Sequence, residues 1–286
     1  MSTLEARFPL NELELDHLVH DALFEDRAFE DVTTIATVLS DRRARARLVA
    51  RAPGVLSGVR LAERAFGIVS EKTRVRIEKR DGDVLAPGET VLHLTGPARG
   101  LLSGERVALN FLQHLSGIAT ATKKYVEAVE GTRARILDTR KTIPGWRALA
   151  KYAVLCGGGV NHRMDLAAAV LIKDNHLAAV DGNIALAVQR CRQYAAPGMF
   201  IQVECDRLEQ VEAAVAAKAD GVLLDNMSLS DLRLAVALCG RTLSTEASGG
   251  VTLSTVRGIA DTGVDYISVG ALTHSACALD LALDFD

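Results

Sequence analysis

The 286-residue chain reads as an α/β protein: a partial (β/α) barrel of about six parallel strands with a smaller N-terminal α+β sandwich domain. Three observations predict this. Six short strand-like runs recur between residues 134 and 269, with amphipathic helical stretches between them. The last three strand-to-strand intervals are about 20–23 residues, room for a strand, a helix and two short loops, which implies parallel strands with right-handed crossovers. The first hundred or so residues lack that alternation and mix helices with hairpin-like turns, the mark of a compact α+β unit.

Taken in order, a helical pattern over about 11–29 opens the chain, and 46–52 and 73–79 read as strands with a helix over 59–70 between them. Turns at Asp81-Gly82 and Pro87-Gly88 precede a strand at Thr90–Leu94, and Gly96-Pro97 breaks the chain. One helix is expected from about Ser103 to Leu115 and, after Gly117, a second from Ile118 to Glu130. The barrel strands are predicted at Ala134–Asp138, Ala168–Lys173, Phe200–Glu204, Gly221–Asp225, Leu243–Glu246 and Tyr266–Val269, with helices at Arg207–Ala217, Ser230–Leu238 and Leu253–Thr262. Six strands are too few for a complete eight-stranded barrel, and no GxGxxG follows any strand, which weighs against a dinucleotide-binding sheet. The expected domains are 1–115 (α+β), 116–272 (partial barrel) and a tail, 273–286, packing back on the N-terminal domain.

Composition narrows the function classes. The formal net charge is −3, so a nucleic-acid or membrane-surface binder, which would spread basic charge over a face, is disfavoured. No window approaches the length of an apolar membrane span, and the N-terminus lacks a signal-peptide core, so a cytoplasmic protein is the default. The five cysteines are scattered without a CxxC pair, which argues against disulfides or a thiolate zinc site. Cys156, Cys205 and Cys239 lie in apolar runs and read as buried free thiols.

Against this acidic background, residues 138–176 concentrate Arg140, Lys141, His162, Arg163 and Lys173 beside strand-like or glycine-rich backbone, which suggests a pocket for a small polyanion. Barrel catalytic groups project from the C-terminal ends of strands. Here those ends read Asp138-Thr139-Arg140-Lys141, Lys173-Asp174-Asn175-His176, Glu204, Asp225-Asn226, Glu246-Ala247-Ser248-Gly249-Gly250 and Gly270. Arg140, His162, Arg163 and Lys173 suit a ligand with several carboxylates. Glu204 and Asp225 suit a divalent metal, ribose hydroxyls or a developing positive charge. Ser248-Gly249-Gly250 and Val269-Gly270-Ala271 end the last two strands, where such barrels often bind phosphate. Singly, each residue also has an ordinary reading: a rim salt bridge for a cation, a partner for nearby bases for an acid, a tight βα loop for a glycine. His162, Asp174 and His176 fit no common zinc spacing, and Gly157-Gly158-Gly159 reads as shaping the backbone beside His162 rather than as a phosphate loop.

At these residues the chain resembles the quinolinate phosphoribosyltransferase family. The resemblance runs through Asp31-Val32-Thr33-Thr34, ARAPGVLSG (50–58), SGERVALNFLQHLSGIAT (103–120), LDTRKTIPGWR (137–147), KYAVLCGGGVNHR (151–163), VLIKDNH (170–176), VLLDNM (222–227), EASGGV (246–251) and GVDYISVGALTHS (263–275). Departures are small: Val160 where polar or other residues are frequent, Gln202 where acidic or apolar residues are, and Gly250 where Asn is common.

The resemblance implies transfer of a phosphoribosyl group from phosphoribosyl pyrophosphate to quinolinate, with loss of the 2-carboxylate as CO2, giving nicotinate mononucleotide for NAD biosynthesis. Carried over by position, Arg106, Thr139, Arg140, His162, Arg163 and Lys173 would bind substrate, chiefly quinolinate. Lys141, Glu204 and Asp225 would be catalytic, handling the donor and Mg2+. Ser248, Gly249, Gly250, Val269, Gly270 and Ala271 would hold the donor's 5-phosphate. Lys141 could neutralise either the departing pyrophosphate or the 2-carboxylate. The resemblance also implies a homodimer, alone or within a higher homo-oligomer, in which Arg106 reaches the partner's site. The rival readings are a related phosphoribosyltransferase (a nicotinate enzyme or the molybdenum-operon homologue), a Schiff-base aldolase using Lys173, and a non-catalytic sensor of phosphorylated metabolites.

Overall fold

The computed structural model of the chain describes residues 7–286. The chain divides into two compact units, one made of everything up to Lys123 with Ile143–Gly158 and Ser275–Asp286, the other of Lys124–Thr142 with Gly159–His274. In order, the first unit carries α1 (Glu12–Glu25), α2 (Val32–Thr37), β1 (Arg43–Ala50), β2 (Gly54–Val55), α3 (Val59–Val69), β3 (Arg74–Ile77), β4 (Val84–Leu85), β5 (Thr90–Pro97) and most of α4 (Ala98–Ala128). After β6 (Arg135–Leu137) of the second unit, α5 (Arg147–Cys156) belongs again to the first. The second unit continues with β7 (Val170–Ile172), α6 (Asp174–Ala178), α7 (Ile184–Tyr194), β8 (Ile201–Cys205), α8 (Leu208–Ala216), β9 (Gly221–Asp225), α9 (Leu229–Cys239), β10 (Ser244–Ser248), α10 (Val256–Ala260), β11 (Tyr266–Ser268) and α11 (Ala271–His274). The chain ends in β12 (Leu281–Phe285).

The first unit is an antiparallel sheet of order β12-β1-β5-β3 with helices packed around it. Helix α1 starts at a reciprocal cap, Asn11 accepting from the Glu14 amide and Glu14 from the Asn11 amide, and buries Leu15, Val19 and Leu23 at helical spacing. Helix α3 buries Leu61, Ala62, Ala65 and Phe66 in the same way.

The expected break at Gly117 does not occur: α4 runs unbroken for 31 residues. Gly117 is there for a close approach, since a Cβ on it would lie 2.2 Å from the carbonyl oxygen of Cys277. Gly117→Ala gains about 1 kcal/mol in helix propensity but overpacks against backbone, a fault that costs about 1–3 kcal/mol. A lowered thermal midpoint is expected; an unchanged or raised one would show that the C-terminal segment yields freely.

The second unit is a six-stranded parallel sheet of order β6-β11-β10-β9-β8-β7, with helices between successive strands from β7 onward. It is a partial barrel, as the sequence pattern predicts. Ile201, Val203, Val222 and Leu224 are fully buried, the near-continuous apolar character of parallel strands covered on both faces. Cys205 and Cys239 are buried free thiols, pushed by burial up to about 12 and about 11, so neither is a nucleophile.

The register sets the layers of the interior. Gln202, Gly221 and Ser244 lie side by side on β8, β9 and β10; Glu204, Leu223 and Glu246 form the next layer; Asp225 and Ser248 lie above them at the C-terminal rim. Neighbours in register and residues two apart share a face, so Gln202, Glu204, Leu223, Glu246, Asp225 and Ser248 all face one way. Helix α7, which is not among the helices predicted above, buries Ile184, Ala187 and Val188.

Candidate active site

The C-terminal ends of the six strands enclose a cavity of about 820 Å³. Among the sequence-predicted residues, Thr139, Arg140, Lys141, His162, Arg163, Lys173, Glu204, Asp225, Ser248, Gly249, Gly250, Val269, Gly270 and Ala271 all line it. Arg106 does not line it; it is an exposed residue of α4.

Asp138, at the end of β6, is a scaffold residue. It is fully buried and accepts hydrogen bonds from the Asn161 amide (2.6 Å) and the His162 backbone N–H (2.9 Å). The Val160 N–H donates to Ile136 O (2.8 Å) and the Asp138 N–H to Val160 O (3.2 Å), so residues 160–162 lie alongside β6 like a seventh, minimal strand. This is why His162 and Arg163 face the same cavity as Arg140 and Lys141.

The cationic wall is held under repulsion. Arg140 Nε is buried with no hydrogen-bond partner. Burial, and then the neighbouring Arg140 charge, pull Arg163 below the ordinary arginine value, although Arg163 also donates to Ala169 O at 2.8 Å. Two guanidinium groups placed together suit an anion, because a bidentate carboxylate satisfies both charge and donors. Lys173 Nζ lies 3.5 Å from Glu204 Oε2, which ties the cationic wall to the acidic one. His176 Nδ1 accepts from the Lys173 backbone N–H (2.9 Å), so this histidine caps the first turn of α6.

On the acidic side, Asn226 Nδ2 donates to Asp225 Oδ2 at 2.8 Å, fixing the carboxylate. Asn226 is in the left-handed region (φ 54°), and its N–H reaches Ser248 O at 2.9 Å. The next loop fits over it: Gly249 has φ +93°, and a Cβ there would lie 2.1 Å from Asn226 Oδ1. At the other glycine loop a Cβ on Gly270 would meet Lys141 Cδ at 3.1 Å, while Thr273 Oγ1 donates to Lys141 O at 2.7 Å. Lys141 is thus seated on the loop that follows β11, and its N–H donates to Thr139 Oγ1 at 3.0 Å.

Sequence reasoning did not single out two of the residues in this arrangement. Asn226 left a faint trace, an amide after a strand-end aspartate, the residue class that best tolerates positive φ. Glu246 is the last residue of the predicted strand Leu243–Glu246, but β10 runs on to Ser248, so Glu246 lies one layer below the rim and is only 3% exposed. It accepts from Gln202 Nε2 (2.8 Å) and pairs with His162 Nε2 (3.3 Å). Burial works to push the Glu246 carboxyl up, but the His162 ring and then the Gln202 amide against it outweigh burial and hold it below the ordinary glutamate range.

The family model of the quinolinate phosphoribosyl transferase N-terminal domain matches residues 31–116, and that of the C-terminal domain matches 118–284. The chain is 42% identical to a probable nicotinate-nucleotide pyrophosphorylase [carboxylating] of Bacillus subtilis, over 96% of this chain and 94% of that one. It is 45% identical to the nicotinate-nucleotide pyrophosphorylase [carboxylating] of Mycobacterium leprae, over 93% and 95%. The solved nicotinate-nucleotide pyrophosphorylase of Francisella tularensis superimposes with a TM-score of 0.91 at 36% identity, covering 98% of each chain. With both domain models matched end to end and relatives above 40% identity over nearly the full length, this chain belongs to the quinolinate phosphoribosyl transferase family.

Proposed function

We infer that this chain transfers the phosphoribosyl group of phosphoribosyl pyrophosphate to the ring nitrogen of quinolinate and releases pyrophosphate and CO2, yielding nicotinate mononucleotide in NAD biosynthesis. The observation that carries this reading is one cavity that gathers Arg140, Arg163 and Lys173, the carboxylates of Glu204 and Asp225, and two glycine loops. A dicarboxylate suits the cations, and a phosphorylated sugar suits the carboxylates and glycine loops.

Arg140, Arg163 and Lys173 neutralise the dianion and aim its nitrogen, a poor nucleophile that gains most from orientation. The nitrogen attacks the anomeric carbon, the bond to pyrophosphate breaks with its electron pair leaving on oxygen, and the ribose passes through oxocarbenium character. Glu204 and Asp225 face that developing charge. The ribosylated ring nitrogen is then cationic and stabilises the electron pair left on C2 when the 2-carboxylate departs as CO2; that carbanion takes a proton. Lys141, seated against the Gly270 loop, stands on the phosphoribosyl donor's side of the cavity.

Mg2+ suits this donor set. Among the described residues no group of three or more His, Cys, Asp or Glu could hold a metal ion. Glu204 and Asp225 would be the carboxylates that hold Mg2+ together with the donor's phosphates. Bound there with the donor, Mg2+ would supply charge neutralisation of pyrophosphate.

Purified protein incubated with Mg2+, phosphoribosyl pyrophosphate and either quinolinate or nicotinate tests the assignment. CO2 and pyrophosphate should appear with quinolinate; turnover of nicotinate alone would overturn it. Among the described residues no helix is long and apolar enough to cross a membrane, and we place the enzyme in the cytoplasm as a homodimer. In that dimer the partner subunit's Arg106 adds a further cation to the quinolinate wall. Mixing an Arg106→Ala protein with a Lys173→Ala protein should then restore up to about a quarter of wild-type activity, through hybrid dimers that hold one intact site. Proven subunit exchange without recovery would exclude sharing.

A further inference from the structure

The assignment of His162 to a substrate carboxylate leaves open what the imidazole itself presents, and its surroundings answer that. Its Nδ1 accepts the backbone N–H of Arg163 at 2.7 Å, so that nitrogen carries no proton. Its Nε2 faces Glu246 Oε2 at 3.3 Å, and the same oxygen accepts from Gln202 Nε2 at 2.8 Å. An imidazole whose Nδ1 is an acceptor and whose Nε2 meets a carboxylate carries a proton on Nε2. Glu246 sits in the sheet layer beneath the rim, next to Leu223 and level with Glu204, and lines the cavity. Its second oxygen, Oε1, is buried without a hydrogen-bond partner. A carboxylate serving only the scaffold would have both oxygens satisfied, because an unmade hydrogen bond at a buried group is costly.

We propose that Glu246 is a positioning residue for the reaction: held by Gln202, it locks His162 as the neutral Nε2–H tautomer and fixes the ring against the quinolinate wall. Neutralisation of the substrate dianion then falls on Arg140, Arg163 and Lys173, with His162 supplying shape and a fixed ring in place of charge. The buried Glu246 carboxylate also keeps anionic groups off the floor of the cavity, so the two substrate carboxylates are turned toward the arginines. Gln202, a departure from the residues the family resemblance leads one to expect on this strand, has a role here as the amide that orients Glu246.

The kinetic part of this proposal rests on the quinolinate reading, but its first test does not. Nitrogen-15 NMR of labelled imidazoles in the ligand-free protein at neutral pH, with the His162 signals assigned by their loss in His162→Asn, should show a protonated Nε2 and a bare Nδ1. An imidazolium, or a proton on Nδ1, would overturn the proposal whatever the substrate proves to be. In Glu246→Gln the His162 signals should shift toward a mixture of tautomers, and KM for quinolinate should rise about tenfold, the worth of one charge-assisted hydrogen bond, while KM for the phosphoribosyl donor stays within about twofold. Equal shifts in both constants, or an unchanged quinolinate KM, would mean that Glu246 serves the fold alone. Gln202→Leu, which leaves the carboxylate but removes its orienting amide, should raise the same KM by about threefold; no change there would remove Gln202 from the chain of contacts. Should either variant fail to fold, the wild-type spectrum still decides the tautomer.

Discussion

Gly249→Ala is expected to lower kcat/KM by about a hundredfold or more, mainly through the phosphoribosyl donor, with the barrel still folded. Two independent faults meet at this position. An alanine held at φ +93° is strained by about 1–2 kcal/mol. Its Cβ would also lie 2.1–2.9 Å from three atoms of the Asn226 amide, too close for either group to stay in place. Displacing that amide releases Asp225 from its 2.8 Å hydrogen bond, so the Gly249 loop and the Asp225 carboxylate move together. Steady-state kinetics should show the donor KM rising more than the quinolinate KM. Adding Asn226→Gly clears the overlap, because all three of the nearest atoms belong to Asn226. It should recover part of the donor affinity but not the tether on Asp225. A Gly249→Ala enzyme with wild-type kinetics would show that this loop does not touch the donor.

Arg163→Met should raise KM for quinolinate by about a hundredfold to a thousandfold, with the donor KM nearly unchanged. The methionine keeps most of the volume and removes the fork that binds a carboxylate through two N–H donors. Arg163→Lys should rescue only part of the loss, since a point charge cannot reproduce that fork. Calorimetric titration of each ligand separates the two affinities. An equal loss of both would place Arg163 outside the dicarboxylate wall.

Much of the fold is legible in the sequence because the barrel repeats. Strand, loop and helix recur at nearly constant spacing, and each strand ends in polar residues that the register brings to one rim. Arg140, Lys173, Glu204 and Asp225 can be read this way from the chain alone. What escaped has physical reasons. Gly117 looks like a helix break from local propensity, but it answers a tertiary demand, the carbonyl of Cys277 lying against the helix. Strand β12 is a short run at the chain end, and only its pairing with β1, more than two hundred residues away, makes it a strand. Glu246 could have been found from the two-residue period of β10, which puts it on the same face as Ser248 but one layer down. Reading the strand only to its end hid that. Asn226 depends on a left-handed backbone that one amide after an aspartate barely signals.

The crowding of Arg140 and Arg163 also bears on which molecules the cavity turns away. Burial, and then the Arg140 charge, lower the Arg163 pKa, so the two like charges stand in one another's field. A pyridine with two carboxylates relieves both charges at once. One carboxylate relieves one and leaves the second cation desolvated beside the ligand, and a neutral pyridine relieves neither. On the proposed placement of the two carboxylates against Arg140 and Arg163, discrimination against such analogues would arise from repulsion between these cations, with no clash needed to exclude them.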